Sequence, residues 1–406
     1  MKKLLALILV LAMVATLFVG CKKAEDETTA APAGNETEEP AGNETKEPAG
    51  NETEEPAVET DEPAVETKEP AELSVDMKVA LVTDVGTIDD ESFNQATWEG
   101  VKAFCEANGV DYTYYQPSAN STDARVETIE TAIGDGYNVI VMPGYLFGEA
   151  VITVQEDYPD EYFIAIDVGA GDLTFDYETY YEPAANTLCI TFEEDQAGYL
   201  AGYAAVADGY TKLGFLGGMA VPAVIRYGYG FVQGANAAAE ELGIADKVSI
   251  KYTYGGQFFG DASITAKMDG WYADGTEVVF ACGGGIYTSA VEAANNHGAK
   301  VIGVDVDQHY IDDCIITSAM KGLSASVVTA LTNLGTGKWE GGQVQNKSLQ
   351  EGDYVGLPTA EASWGFNTFT MEQYEKVLGE LKDGTRPCSA DTENQPTVSI
   401  AVDYIQ

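Results

Sequence analysis

The chain has 406 residues, 66 of them acidic and 21 basic, for a net charge of −45. Such an acidic surface repels phosphate backbones, which argues against nucleic acid as a partner and favours neutral or cationic small molecules. Two histidines, and six cysteines without a short C-x-x-C spacing, give no footing for a histidine-based triad, a zinc site or a disulfide framework, so no metal and no cofactor are expected.

In chain order the first feature is a signal. Lys2 and Lys3 precede an apolar run over residues 4–19, broken by Thr16, and Gly20-Cys21-Lys22-Lys23 follows. The run is at the short edge of what spans a bilayer, and a small residue before Cys21 suits a peptidase, so residues 1–20 read as a signal peptide. The pattern resembles bacterial lipoprotein signals, although Phe18 stands where those usually carry Leu. That resemblance implies that Cys21 carries diacylglycerol on its sulfur and becomes the mature N-terminus. The protein would then be lipid-anchored at the extracytoplasmic face of a bacterial cell membrane.

Next comes an acidic near-repeat, Ala-Gly-Asn-Glu-Thr-Glu-Glu-Pro, with Asn35, Asn43 and Asn51 eight apart; residues 22–77 hold 18 acidic and 4 basic side chains. With a proline in every unit and almost no large apolar residue, burial cannot offset the ordering entropy, and like charges extend the segment. Residues 21–77 are therefore expected to be a lipidated cysteine and a disordered tether reaching about 40 Å.

The remaining 78–406 is too long for one ordinary core, so two lobes are expected. Short apolar, β-branched runs recur at 79–83, 139–142, 163–167, 213–217, 278–281 and 301–304, with helical spacing at 93–105, 124–133, 197–207 and 221–242. Continuous apolar runs fit strands covered on both faces, hence parallel α/β sheets, whose ligands bind beyond the carboxyl ends of the strands. At those ends stand Asp84, with Phe93 and Asn94 shortly after it, then Asp167 and Asp305. A strand-end aspartate equally serves as a helix cap or turn residue, but three together favour a polar cleft. The run Gly228 to Gly234 sits inside an apparent helix and is one residue too long for a dinucleotide fingerprint.

The ordered series is more specific than any single piece. Thr83-Asp84-Val85-Gly86, Trp98-Glu99-Gly100, Pro143-Gly144-Tyr145, Ile164-Ala165-Ile166-Asp167, Phe192-Glu193-Glu194-Asp195-Gln196, Gly214-Phe215-Leu216-Gly217-Gly218, Gly283-Gly284-Gly285, Asp305-Val306-Asp307-Gln308 and Ser318-Ala319-Met320-Lys321 succeed one another. Over roughly residues 78–345 this resembles the basic membrane protein family of bacterial lipoproteins, which are similar to purine-nucleoside-binding components of ABC importers. The resemblance implies that Phe93 and Phe259 sandwich a purine, with Phe258 an alternative to Phe259. It implies that Asp84 and Asn94 read the base edge, with Asp167 a further polar contact. Asp305 and Lys321 would meet the ribose hydroxyls, with a main-chain contact near Gly284 or Gly285. The residue chemistry agrees: a carboxylate accepts from vicinal hydroxyls, a lysine donates, and a glycine admits a ligand to the main chain. Phe93 as plain core and Lys321 as a solvated helix residue remain open.

The expected architecture is α/β, a type I periplasmic-binding-protein-like fold: two doubly wound parallel-sheet lobes with a ligand cleft between them. Lobe one would take 78–191 plus 305–345, and lobe two 192–304 plus 346–406. The expected function is non-enzymatic capture of purine nucleosides by lobe closure and delivery to ABC transporter permease subunits, as a monomer. Three rivals compete. One is an ABC binder of a sugar or other small polar ligand. Another is a nucleoside hydrolase, which Asp84, Asp89 and Asp90 faintly suggest but Val82 disfavours by replacing a metal ligand. The third is a non-transport surface antigen.

Overall fold

The structure, a computed structural model, describes residues 72–405. The expected signal peptide, Cys21 and nearly all of the tether lie outside the described residues.

From the N-terminal side run β1 (Lys78–Val82), α1 (Phe93–Asn108), β2 (Asp111–Tyr115), α2 (Thr122–Gly134), β3 (Val139–Pro143), α3 (Gly148–Asp157), β4 (Tyr162–Ile166) and β5 (Thr187–Phe192). There follow α4 (Glu194–Ala207), β6 (Lys212–Gly217), α5 (Pro222–Glu241), β7 (Ser249–Tyr254), α6 (Ala262–Ala273), β8 (Val278–Cys282), α7 (Tyr287–His297), β9 (Lys300–Asp305) and β10 (Ile315–Lys321). The chain closes with α8 (Leu323–Gly335), β11 (Gln343–Lys347), β12 (Val355–Gly356), α9 (Met371–Lys382) and β13 (Ala401–Tyr404).

These strands form two sheets, ordered β11-β5-β4-β3-β1-β2 and β12-β10-β9-β8-β6-β7-β13. Pairing is parallel except where β12 runs antiparallel to β10. The apolar runs of β3 and β8 are buried along their whole length because helices cover both faces. In β1 the period of two is visible. Val79 and Leu81 join the core under α1 and α8, whereas Ala80 and Val82 join a separate core with α2 and α3. The second sheet is likewise sandwiched, by α4 and α5 on one face and α6 and α7 on the other.

The expected division needs correction. Residues 305–345 do not all return to the first sheet: β9 and β10 pair with each other and extend the second sheet from β8, so the chain crosses back only after Lys321. From there α8 packs on α1 and β11 pairs with β5. The stretch 351–406, expected in lobe two, supplies β12 and β13, which cover the two outer strands β10 and β7. Order also begins before residue 78. The Ser74 N–H donates to the Gly335 carbonyl at 2.7 Å, and Met77 is buried.

The glycine run 228–234 has a packing role. A Cβ on Gly230 or Gly234 of α5 would overlap the main chain of Asp195 or Tyr199 on α4, so the absence of a side chain sets how closely these helices approach. That contact fixes the starts of α4 and α5; α5 lines the cavity described next, and α4 reaches its edge through the bond of Glu194 to Lys321.

Candidate functional site

A cavity of about 340 Å³ lies between the carboxyl ends of the two sheets, within the size range of small-molecule sites. It brings together every one of the sequence-selected side chains and glycines: Asp84, Phe93, Asn94 and Asp167 from the first sheet and its loops, and Phe259, Gly284, Gly285, Asp305 and Lys321 from the second.

On the first-sheet side, Asp90 organises the wall. Its carboxylate accepts from the N–H groups of Ser92 at 3.0 Å, Asn94 at 3.1 Å and Gln95 at 3.1 Å, satisfying donors that the first turn of α1 leaves without helical partners. Phe93 and Asn94 are thereby fixed at the start of the helix. The Asn94 amide donates to Asp84 Oδ1 at 3.1 Å and to Asp90 Oδ2 at 3.2 Å, and Gly86 N–H donates to Asp84 Oδ1 at 2.8 Å. Asp84 Oδ2 lies so close to Gly144, at the end of β3, that a Cβ there would stand 2.7 Å from it. Burial raises the pKa of Asp84, opposed by the bonds from Gly86 and Asn94; burial likewise pushes Asp90 up to about 6.

Asp167, directly after β4, and Asp305, the last residue of β9, have left-handed backbones, φ 59° and 67°. Such conformations cost energy in a non-glycine residue and are held here by the surrounding network. Lys321, at the end of β10 and buried, donates to Asp167 Oδ2 at 2.5 Å and to Glu194 Oε1 at 3.0 Å. Its ammonium also lies 5.0 Å from the Phe93 ring centroid, within cation–π range. Arg226 Nε donates to the other Glu194 oxygen at 2.5 Å. Asp305 Oδ2 accepts from Ser92 Oγ at 2.6 Å. Burial raises Asp305 and Asp167, with Lys321 opposing; in Glu194 the effect of burial is outweighed by Arg226 and Lys321, which hold it low. Burial would neutralise Lys321, but Asp167, Glu194 and Asp305 outweigh it and keep the ammonium charged.

On the second-sheet side the two phenylalanines differ. The half-buried Phe258 lies against the main chain of Gly218 and Gly283, whereas Phe259 is 61% exposed at the cavity. The Gly285 N–H is spent on the Phe258 carbonyl at 2.9 Å, and Gly284 N–H has no acceptor among the described residues. Lys321 is a buried strand end, so its reading as a solvated helix residue fails, and Phe93 lines the cavity while touching the core.

Sequence reading missed Ser92, Glu194, Arg226 and Tyr227. Glu194 resembled an ordinary acidic residue in a first helical turn, yet it is fully buried. The available signal was a charged pair opening an otherwise apolar, glycine-spaced helix.

A family model described as ABC transporter substrate-binding protein PnrA-like matches residues 77–382. The chain belongs to this Bmp family. Among its relatives is the ABC transporter nucleoside-binding protein BmpA of Lactococcus lactis subsp. cremoris, 28% identical over 313 residues, covering 71% of this chain and 84% of the relative. Basic membrane protein A1 of Borrelia garinii subsp. bavariensis is 32% identical over 284 residues, covering 68% and 78%. A solved ABC transporter solute-binding protein from Aeropyrum pernix K1 aligns with TM-score 0.61 at 24% identity, over 76% of this chain and 86% of that one, a likeness of fold. Bmp-family proteins are binding components of ABC transporters, not enzymes, and work outside the cytoplasm with a permease and a small ligand as partners.

Proposed function

We propose that this Bmp-family protein captures purine nucleosides of the guanosine, inosine and adenosine class and delivers them to an ABC importer. The observation that carries the reading is the meeting, in one cavity between the two sheets, of two aromatic rings, Phe93 and Phe259, with carboxylates and a charged lysine. Rings accept any flat heterocycle, with stacking worth about 1–3 kcal/mol per base. Asp84 and Asn94 then meet the base edge, and Asp305 and Lys321 the ribose hydroxyls, with Asp167 positioning Lys321 and Gly284 or Gly285 the main-chain contact. The nucleoside-binding name of the Lactococcus lactis relative supports the ligand class.

In this reading the lobes are 78–192 with 323–347, and 194–321 with 355–404. A ligand touching both favours the closed arrangement, which the permease recognises. The chain acts as a monomer, anchored through lipid on Cys21 and spaced from the membrane by its acidic tether.

The test is calorimetric titration of the full chain with guanosine, inosine and adenosine, against ribose, glucose and cytidine, with recovery of the ligand. Tight binding of intact purine nucleosides is the expected result. Heat with a sugar alone would overturn the ligand class, and free base in the recovered sample would overturn the binding role.

A further inference from the structure

The corner of the cavity formed by Asp84, Asn94 and Gly144 has spent its donors. Both N–H bonds of the Asn94 amide go to carboxylates, to Asp84 at 3.1 Å and Asp90 at 3.2 Å, which also fixes which way the amide faces. Gly86 N–H is committed to Asp84 and Gly144 N–H to the Ile166 carbonyl at 2.8 Å. The nearby cation Arg125 does not line the cavity and donates to Asn120 instead.

What remains at this corner is acceptor capacity. Among the described residues Asn94 Oδ1 is buried with no donor and no side chain donates to Asp84 Oδ2, although the main-chain N–H of Val85 also bonds to this carboxylate. The Asp90 carboxylate is filled by three main-chain N–H groups and the Asn94 amide. Tyr145 also lines this side, and its hydroxyl can serve as donor or acceptor, so it does not discriminate.

Resting on the proposed nucleoside reading, we propose that Asp84 and Asn94 select purines whose edge carries ring N–H and amino donors. A 2-amino-6-oxopurine offers N1–H and a 2-amino group. A 6-oxopurine lacking the amine offers N1–H alone. Adenine keeps a donor in its 6-amino group but turns the lone pair of N1 towards these acceptors, and a site built around unpaired acceptors discriminates against that mismatch at N1. The ranking is therefore guanosine, then inosine, then adenosine. An Asp84→Asn substitution keeps the shape, replaces one acceptor by an N–H donor and favours adenosine relative to guanosine.

The experiment is competition calorimetry on the full chain with these three nucleosides, wild type first and Asp84→Asn second. The expected result is guanosine bound about tenfold or more tighter than adenosine, inosine between them, and that ratio reduced or inverted in Asp84→Asn. Equal affinity for guanosine and adenosine in the wild type overturns the inference while leaving nucleoside capture standing. An unchanged ratio in a folded Asp84→Asn protein overturns the role of Asp84. Absence of any purine nucleoside binding overturns the proposed function itself and this inference with it. The wild-type ranking requires no variant to fold.

Discussion

Lys321 Nζ stands 2.5 Å from Asp167 Oδ2, joining the end of β10 in one sheet to the end of β4 in the other. Both side chains are nearly inaccessible, and Glu194 at 3.0 Å completes the lysine's carboxylate pair. A buried ion pair adds little net stability over an apolar pair, but removal of one partner leaves an uncompensated charge. Replacing Lys321 by Met is therefore expected to cost about 3–5 kcal/mol near neutral pH, with partial recovery in acid as Asp167 takes up a proton. Urea midpoints at pH 7.5 and pH 5 check this, and equal midpoints for variant and wild type at pH 7.5 would refute it.

The acidic groups around the cavity predict an unusual pH profile. Burial pushes Asp90 from 3.8 up to about 6 and raises Asp84 and Asp305 as well. Between the ordinary carboxylate range and these raised values, the folded protein binds more protons than the unfolded chain. Stability therefore falls as pH rises through that window. Glu194, held low by Arg226 and Lys321, has the opposite sign, but its contribution is lost only below the ordinary range. The ligand-free protein should melt at a higher temperature at pH 5 than at pH 7.5. Scanning calorimetry across pH 4–8 decides it, and a melting temperature rising steadily to pH 8 would contradict the assignment.

Legibility in the sequence followed burial. The interior strands β1, β3, β4, β6, β8 and β9 announce themselves because both faces are covered and their runs are continuously apolar, whereas β5, also interior, does not, because Thr187 and Thr191 interrupt its run. The outer strand β2, Asp111–Tyr115, mixes polar and aromatic residues because it is partly solvated. In β10, Thr317 and Ser318 break the apolar pattern, and Ser318 Oγ accepts from Gln308 N–H at 3.0 Å. Missing that strand displaced the lobe boundary. Asp84, Asp167 and Asp305 were findable because strand ends in a parallel sheet converge. Glu194 and Arg226 were not, because a buried pair between two helix starts has no sequence spacing of its own.

The two rings should separate binding from stability. Phe259 is mostly exposed, so Phe259→Ala is expected to leave the unfolding midpoint within about 0.5 kcal/mol of wild type. Its effect falls on the ligand, with about 1–3 kcal/mol of binding free energy lost if it stacks on a base. Phe93→Ala should weaken binding similarly but also lower the midpoint, because Phe93 packs partly on the core and faces Lys321. Paired titration and urea denaturation distinguish the two. Unaltered affinity in Phe259→Ala would transfer the stacking role to Phe258.

A second set of bonds crosses between the sheets away from Lys321. Gln308, fully buried, takes the Val304 N–H on Oε1 at 3.0 Å and donates Nε2–H to the Glu91 carbonyl at 2.8 Å. Tyr310 OH donates to the Glu91 carboxylate, and Ser92 Oγ to Asp305. Glu91 itself has φ 51°, a left-handed turn that delivers its carbonyl to Gln308 two residues before Phe93. Tyr310 is half exposed and outside the core, so Tyr310→Phe removes one interlobe bond without opening a cavity. A hydrogen bond to a charged group is worth about 1.5–3 kcal/mol at most, less where water competes. The expected outcome is a roughly three- to tenfold weaker ligand affinity carried by faster dissociation, with association and melting temperature unchanged. Stopped-flow kinetics supply the measurement. If the loss appears in association instead, the contact guides encounter rather than holding the lobes together.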